Sequence, residues 1–245
     1  METGRNRNSP PMRRAGDNAV HQRAGRGDGL DGRDRGADGR GPRQTFAVQK
    51  AAGGLTAGYE DLCREFRAAP PGKLYCLHGD ERVFRLSLTA AAHVLLNDIP
   101  LVVVDGSNRF DLYYITEFAR RWGGHISPPQ VLEKIFISRA FTCYQMEAVV
   151  TERLPVFLQK TGARVALIFG LLDTFYDEQA PLFEVQASLG RVMAALQELK
   201  AAGVSVLLAS RDVRPAAPGR AMLFPRLAGV MDRVYGYGAT ALPTR

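Results

Sequence analysis

Between Gly79 and Leu86 the chain reads GDERVFRL, a glycine followed by charged and apolar residues at the spacing of a phosphate-binding loop. Such a loop has the form Gly-x4-Gly-Lys-Ser/Thr. Its glycines let backbone N–H groups approach phosphate oxygens, its lysine bridges the phosphates, and its hydroxyl holds Mg²⁺. Phe84, Arg85 and Leu86 stand at the last three positions, so the first glycine is kept, Arg85 retains a charge, and the hydroxyl is gone. A bulky Phe84 opposes a tight backbone curl, and Asp80 and Glu81 put negative charge beside any bound phosphate. Gly79, Asp80 and Arg85 therefore read as the remnant of a nucleotide pocket, joined by Asp105 at the end of the next β-branched run. A second feature is RDVRPAAPGRAMLFPR at 211–226, where Arg211, Arg214, Arg220 and Arg226 sit among Gly and Pro. Arginines on a flexible loop suit phosphate contacts, salt-dependent and with little sequence preference.

The elements that must hold these residues alternate along the chain. Residues 74–77 are strand-like, 78–84 supply a turn, 85–97 have the Leu and Ala content of a buried helix, and 101–104 form a second strand ending at Asp105-Gly106. A βαβ unit of this kind is right-handed with parallel strands, which puts the turns at 78–84 and 105–109 on one carboxyl edge. Helical spacing recurs at 57–69 and at 110–122, where Phe110, Tyr114 and Phe118 fall four apart beside Ile115, Ala119 and Trp122 and read as an amphipathic helix packed on the sheet, its aromatic stripe core rather than a base-stacking platform. A helix over 142–160 should bend at Pro155. Strands are expected at 134–138, 165–169 and 204–209, a turn at 171–181, a helix at 183–202, a loop at 211–225, and a closing strand or hairpin at 229–238. The pattern predicts an α/β fold with a mostly parallel central sheet and helices on both faces.

Composition bounds the function. The hydrophobic fraction is 46%, ample for a core in 245 residues. No apolar run approaches a membrane span, and the amino terminus lacks an apolar leader, so a cytoplasmic protein without a membrane partner is expected. Cys63, Cys76 and Cys143 are odd in number and scattered, and with four histidines no metal site is expected. Residues 1–48 hold ten Arg against six Asp and Glu, which leaves only +3 of the chain's +7 for everything after them. Residues 1–44, rich in Arg, Gly and Asp, are expected to be disordered because they offer almost nothing to bury. The remaining residues, 45–245, are expected to be one domain.

The segments KLYCLHG, VVVDGSNRFDLYYITEFARRWG, SRAFTCYQMEAVV, VALIFGLLDTFYDE and VSVLLAS, the last followed by a basic loop, appear in an order that resembles the ATPase core of the RecA-like recombinases. The likeness is to the archaeal and eukaryotic strand-exchange proteins and their paralogues, and it runs from residue 73 to the end. It implies a RecA-like P-loop NTPase fold. It also implies that Ser107 stands where the family has its general-base Glu, and that Gly170 replaces the Asp that orients Mg²⁺. Asp173, three residues on, is the nearest carboxylate that could approach a metal. The arginines at 211–226 fall where recombinases hold single-stranded DNA, whereas the other loop, 174–186, carries Asp177, Glu178 and Glu184 and is unsuited to DNA.

Loss of the metal hydroxyl, the base and the orienting Asp together removes several kcal/mol of transition-state stabilisation, on the order of magnitude such supports supply. The resemblance thus implies a non-hydrolysing paralogue, without a cofactor, that binds DNA, a RecA-like recombinase or another copy of itself in recombination or repair. Two alternatives stand beside it. One is an ATPase that uses Mg-ATP with Arg85 and a displaced carboxylate; the other is a protein-interaction adaptor that does not bind DNA.

Overall fold

The central strands LVVVD (101–105) and VALIF (165–169) are short apolar runs buried along their whole length, the side chains that fill both sides of a covered parallel sheet. The computed structural model describes residues 55–68, 71–123, 127–177 and 179–238. The tail expected at 1–44 lies outside the described residues. The strands are β1 (Leu74–Gly79), β2 (Leu101–Asp105), β3 (Ile135–Arg139), β4 (Val165–Phe169), β5 (Ser205–Arg211) and β6 (Arg233–Tyr237). They form one sheet in the order β3-β2-β4-β5-β1-β6 with parallel pairings throughout. The α/β class, the parallel sheet and its two helical layers are as the sequence predicts.

Alternate residues of each strand feed two cores. Tyr75, Leu77, Val103, Leu167 and Leu207 pack with α1 (Leu55–Arg67), α2 (Arg82–Leu96), α3 (Leu112–Trp122) and α4 (Pro128–Leu132). Cys76, Val104, Ile168 and Leu208 pack on the other face with α5 (Cys143–Ala148), α6 (Leu154–Thr161), α7 (Leu171–Phe175), α8 (Leu182–Ala201) and α9 (Leu223–Ala228). All five residues of β4 are buried, as expected for a strand covered on both sides. Among the described residues no helix is long and apolar enough to cross a membrane.

The departures from expectation have local causes. The helix expected at 85–97 begins at Arg82, because the Asp80 carboxylate accepts the Arg82 N–H at 2.9 Å and starts the helix two residues after β1. The helix expected over 142–160 is interrupted by a π-helical turn, Val149–Arg153, just before Pro155. Proline lacks the N–H that would close the preceding turn, and the wider turn absorbs the mismatch. Of the turn expected at 171–181, the first five residues form α7; of the loop expected at 211–225, residues from Pro218 onward form a 3₁₀ turn, Pro218–Met222, and then α9. The closing segment is a single strand, β6, paired with β1.

Candidate functional site at the carboxyl edge

The chain leaves β2 toward the face of α3, but it leaves the adjacent β4 toward the face of α8. Neighbouring strands whose exits part in this way open a crevice at their carboxyl ends, where α/β sheets bind ligands. The same parting occurs between β1, which leads to α2, and β5, which leads to α9. The predicted residues Gly79, Asp105, Asp173 and Arg211 all come to this edge.

At the β1 exit there is no phosphate loop. Gly79 has φ 150°, and a Cβ placed there would lie 1.8 Å from the Tyr237 carbonyl oxygen. Glycine is thus demanded by the close approach of β6, and phosphate plays no part in that demand. The helix donors that would meet an anion are already used. Arg82 N–H goes to Asp80 Oδ1, Val83 N–H to the Asp80 carbonyl at 3.1 Å, and Phe84 N–H to the Glu81 carbonyl at 3.4 Å. The Arg82 side chain returns to the same carboxylate, Nη2 to Oδ2 at 2.5 Å, and its hydrogen bonds hold the Asp80 carboxyl below the usual aspartate range. Asp80 therefore sits at the helix N-terminus as the chain's own anion. Phe84 is buried, edge-on to Phe169 with ring centroids 5.6 Å apart, so it is core.

Arg85 departs from its expected place. It is exposed on α2 with its guanidinium 5.1 Å from the Tyr114 ring centre, turned toward α3. Asp105 departs in role. It is fully buried, and its carboxylate accepts the N–H groups of Ser107 at 3.2 Å, Arg109 at 3.1 Å and Phe110 at 3.0 Å. It folds the β2 exit loop and leaves little capacity for a metal or ribose.

An ion-pair chain crosses the crevice in place of a ligand. Glu81 Oε1 accepts from Arg109 Nη2 at 3.1 Å and from Arg211 Nη1 at 3.0 Å. Arg211 Nη2 in turn lies 3.8 Å from Asp173 Oδ2. Burial pushes the Asp173 carboxyl above the usual aspartate range, and Arg211 and Arg109 only partly oppose this. Gly170 is left-handed at φ 60°, and a Cβ there would meet Ser107 Cβ at 2.4 Å and Asp173 Oδ2 at 3.1 Å. Asp173 reaches back to the space a side chain at 170 would fill. Ser107 Oγ, Asp173 Oδ1 and Arg211 Nε are buried without a hydrogen-bond partner among the described residues. Three such atoms can hold a water or one small polar group. Among the described residues no cluster of three or more His, Cys, Asp or Glu is placed to hold a metal.

The four arginines expected to meet DNA divide. Arg214 and Arg226 are exposed. Arg211 is held by Glu81 in the crevice. Arg220 contradicts the expectation outright: it is 3% exposed, with Nη1 donating to the Phe175 carbonyl and Nη2 to the Ala180 carbonyl, each at 2.5 Å. A guanidinium so enclosed cannot reach a phosphate; it ties the 3₁₀ turn to the segment after α7.

Sequence reading missed the Glu81–Arg109 contact and a His78–Asp212 pair, whose Nδ1 and Oδ1 lie 2.8 Å apart against Phe224. The only signal for either was that each residue adjoins a strand end. Comparison with protein-family models and with curated proteins finds no match for this chain.

Proposed function

We propose that this chain is a RecA-like paralogue that does not turn over nucleotide and acts as an accessory DNA- or recombinase-binding factor in recombination or repair. The observation that carries the first half is Asp80. Its carboxylate occupies the N-terminus of α2, where a phosphate would be received, and the Arg109–Glu81–Arg211 chain bridges the crevice beyond it. An incoming triphosphate would have to displace one carboxylate and approach another, and both costs oppose binding. The parallel sheet and the positions of Ser107 and Gly170 at its carboxyl edge support the RecA-like reading.

The second half rests on Arg214 and Arg226, both exposed in the segment that follows β5. A protein-interaction adaptor without DNA binding is the second reading, and it is favoured by the internal engagement of Arg211 and Arg220. Fluorescence anisotropy with labelled oligo-dT in low salt separates the two. The accessory-factor reading expects binding that weakens with salt and falls several-fold on Arg214→Ala with Arg226→Ala. Binding that is absent, or indifferent to both substitutions, leaves the adaptor.

A further inference from the structure

Two guanidiniums from different strand exits meet on a single oxygen. Arg109 Nη2 lies 3.1 Å and Arg211 Nη1 3.0 Å from Glu81 Oε1. Like charges are held this close only around an anion, because a charge between them must offset their mutual repulsion. Here the anion is a side chain of the same chain.

The two cations are placed by the fold, and the carboxylate is not. Arg211 is the last residue of β5, in register with Gly79 of β1. Arg109 donates its backbone N–H to the buried Asp105 carboxylate at 3.1 Å, and its guanidinium lies over the Phe84 ring, 5.5 Å from the ring centre. Glu81 stands at the start of α2 with its side chain 58% exposed, against 40% for Arg109 and 36% for Arg211. An exposed carboxylate exchanges protein donors for water at small cost, so Glu81 is the member of the three that can leave without disturbing the sheet. Once it leaves, the two guanidiniums face each other with Asp173 opposing them, 3.8 Å from Arg211 Nη2. Burial pushes that carboxyl above the usual aspartate range, which reduces its competition for Arg211.

The donors left behind suit a phosphate group. Paired arginines hold phosphate through several N–H groups at once. Arg211 Nε and Ser107 Oγ are buried without a partner among the described residues, so the crevice offers more hydrogen bonds than one carboxylate uses. A phosphate has more acceptor oxygens than a carboxylate and takes up part of what Glu81 leaves unused. The N-terminus of α2 contributes nothing, because its first donors are bound to Asp80 and to chain carbonyls.

We infer that Arg109 and Arg211 form a phosphate-binding site held shut by Glu81, an autoinhibitory contact at the carboxyl edge. The site rests on the ion-pair chain alone and does not require the DNA reading.

The test is isothermal titration of sodium pyrophosphate, without Mg²⁺, into the full chain as wild type, Glu81→Gln and Asp61→Asn. Asp61 pairs with Arg64 on α1, so its substitution makes the same charge change and frees a lone guanidinium elsewhere. Glu81→Gln is expected to bind pyrophosphate at least tenfold more tightly than wild type, and Asp61→Asn to match wild type. Arg109→Ala and Arg211→Ala, each added to Glu81→Gln, are expected to cancel the gain; the two are made separately so that a misfolded one leaves the other to decide. Oligo-dT titrated into the same proteins separates the sources of phosphate. A gain there too, with the salt dependence steeper by about 0.7 per added phosphate, assigns the site to a nucleic-acid strand, and a gain with pyrophosphate alone assigns it to free phosphates. Absence of oligo-dT binding with the pyrophosphate gain intact removes the DNA reading and leaves the site. A Glu81→Gln protein no tighter than wild type, a gain matched by Asp61→Asn, or a gain that survives both arginine substitutions overturns the inference.

Discussion

The Asp80 carboxylate accepts the backbone N–H of Arg82 at 2.9 Å and holds its guanidinium as well, so the first turn of α2 is satisfied within the chain. The contact shortens the β1–α2 connection to two residues and removes the space in which a phosphate loop would curl. Asp80→Ala is expected to lower the urea midpoint without creating affinity for inorganic phosphate, because the Val83 and Phe84 N–H groups keep their carbonyl partners. Phosphate-dependent protection of this variant from urea would show that the cap alone excludes the anion.

Gly79→Ala is expected to destabilise by about 3 kcal/mol or more, since a methyl group 1.8 Å from the Tyr237 carbonyl must push β6 off β1. Equilibrium unfolding reads this directly. A near-neutral result would contradict the close approach.

Arg220→Ala is expected to cost about 3 kcal/mol, because two buried carbonyls lose charged donors together. Oligo-dT binding by the folded fraction should be unchanged. Arg214→Ala is expected to behave in the opposite way, with stability kept and binding reduced.

Asp173 has a folded-state pKa above its unfolded value, so its contribution to stability is full below the unfolded pKa and is lost as pH rises through the folded one. Asp173→Asn cannot ionise. Its unfolding free energy should therefore gain on the wild type as pH rises from about 3.5 to 7. A pH-independent difference between the two proteins would contradict a buried, partly paired carboxyl.

Placing at 170 the carboxylate that the RecA-like reading would put there should not confer hydrolysis. Gly170 is left-handed, and its Cβ would strike Ser107, so Gly170→Asp is expected to destabilise the β4 exit and yield no phosphate release above background.

The inner strands were legible because β2 and β4 are β-branched or apolar runs that end at Asp105-Gly106 and Gly170, and burial on both faces needs no partner to be named. The helical faces were legible in part. Periodicity placed Phe110, Tyr114 and Phe118 beside the sheet but also Trp122, which lies at the end of α3 beyond the sheet's cover. The site was legible only as positions. That Gly79, Asp105, Asp173 and Arg211 share one edge follows from parallel topology. That Asp105 spends its carboxylate on its own loop is a local fold of the β2 exit that spacing alone does not reveal. That Glu81 joins Arg109 to Arg211 and that Arg220 turns inward depend on side-chain geometry between residues 28 to 130 positions apart. A lone arginine in a Gly/Pro-rich segment reads alike whether it meets solvent or a buried carbonyl.

Isothermal titration of Mg-ATP into the full chain, with phosphate release followed on the same preparation, tests the central claim most directly. A crevice bridged by Arg109, Glu81 and Arg211 predicts no saturable binding up to about 1 mM nucleotide and no release above background. Saturable micromolar binding that Arg85→Ala or Arg211→Ala abolishes would contradict it.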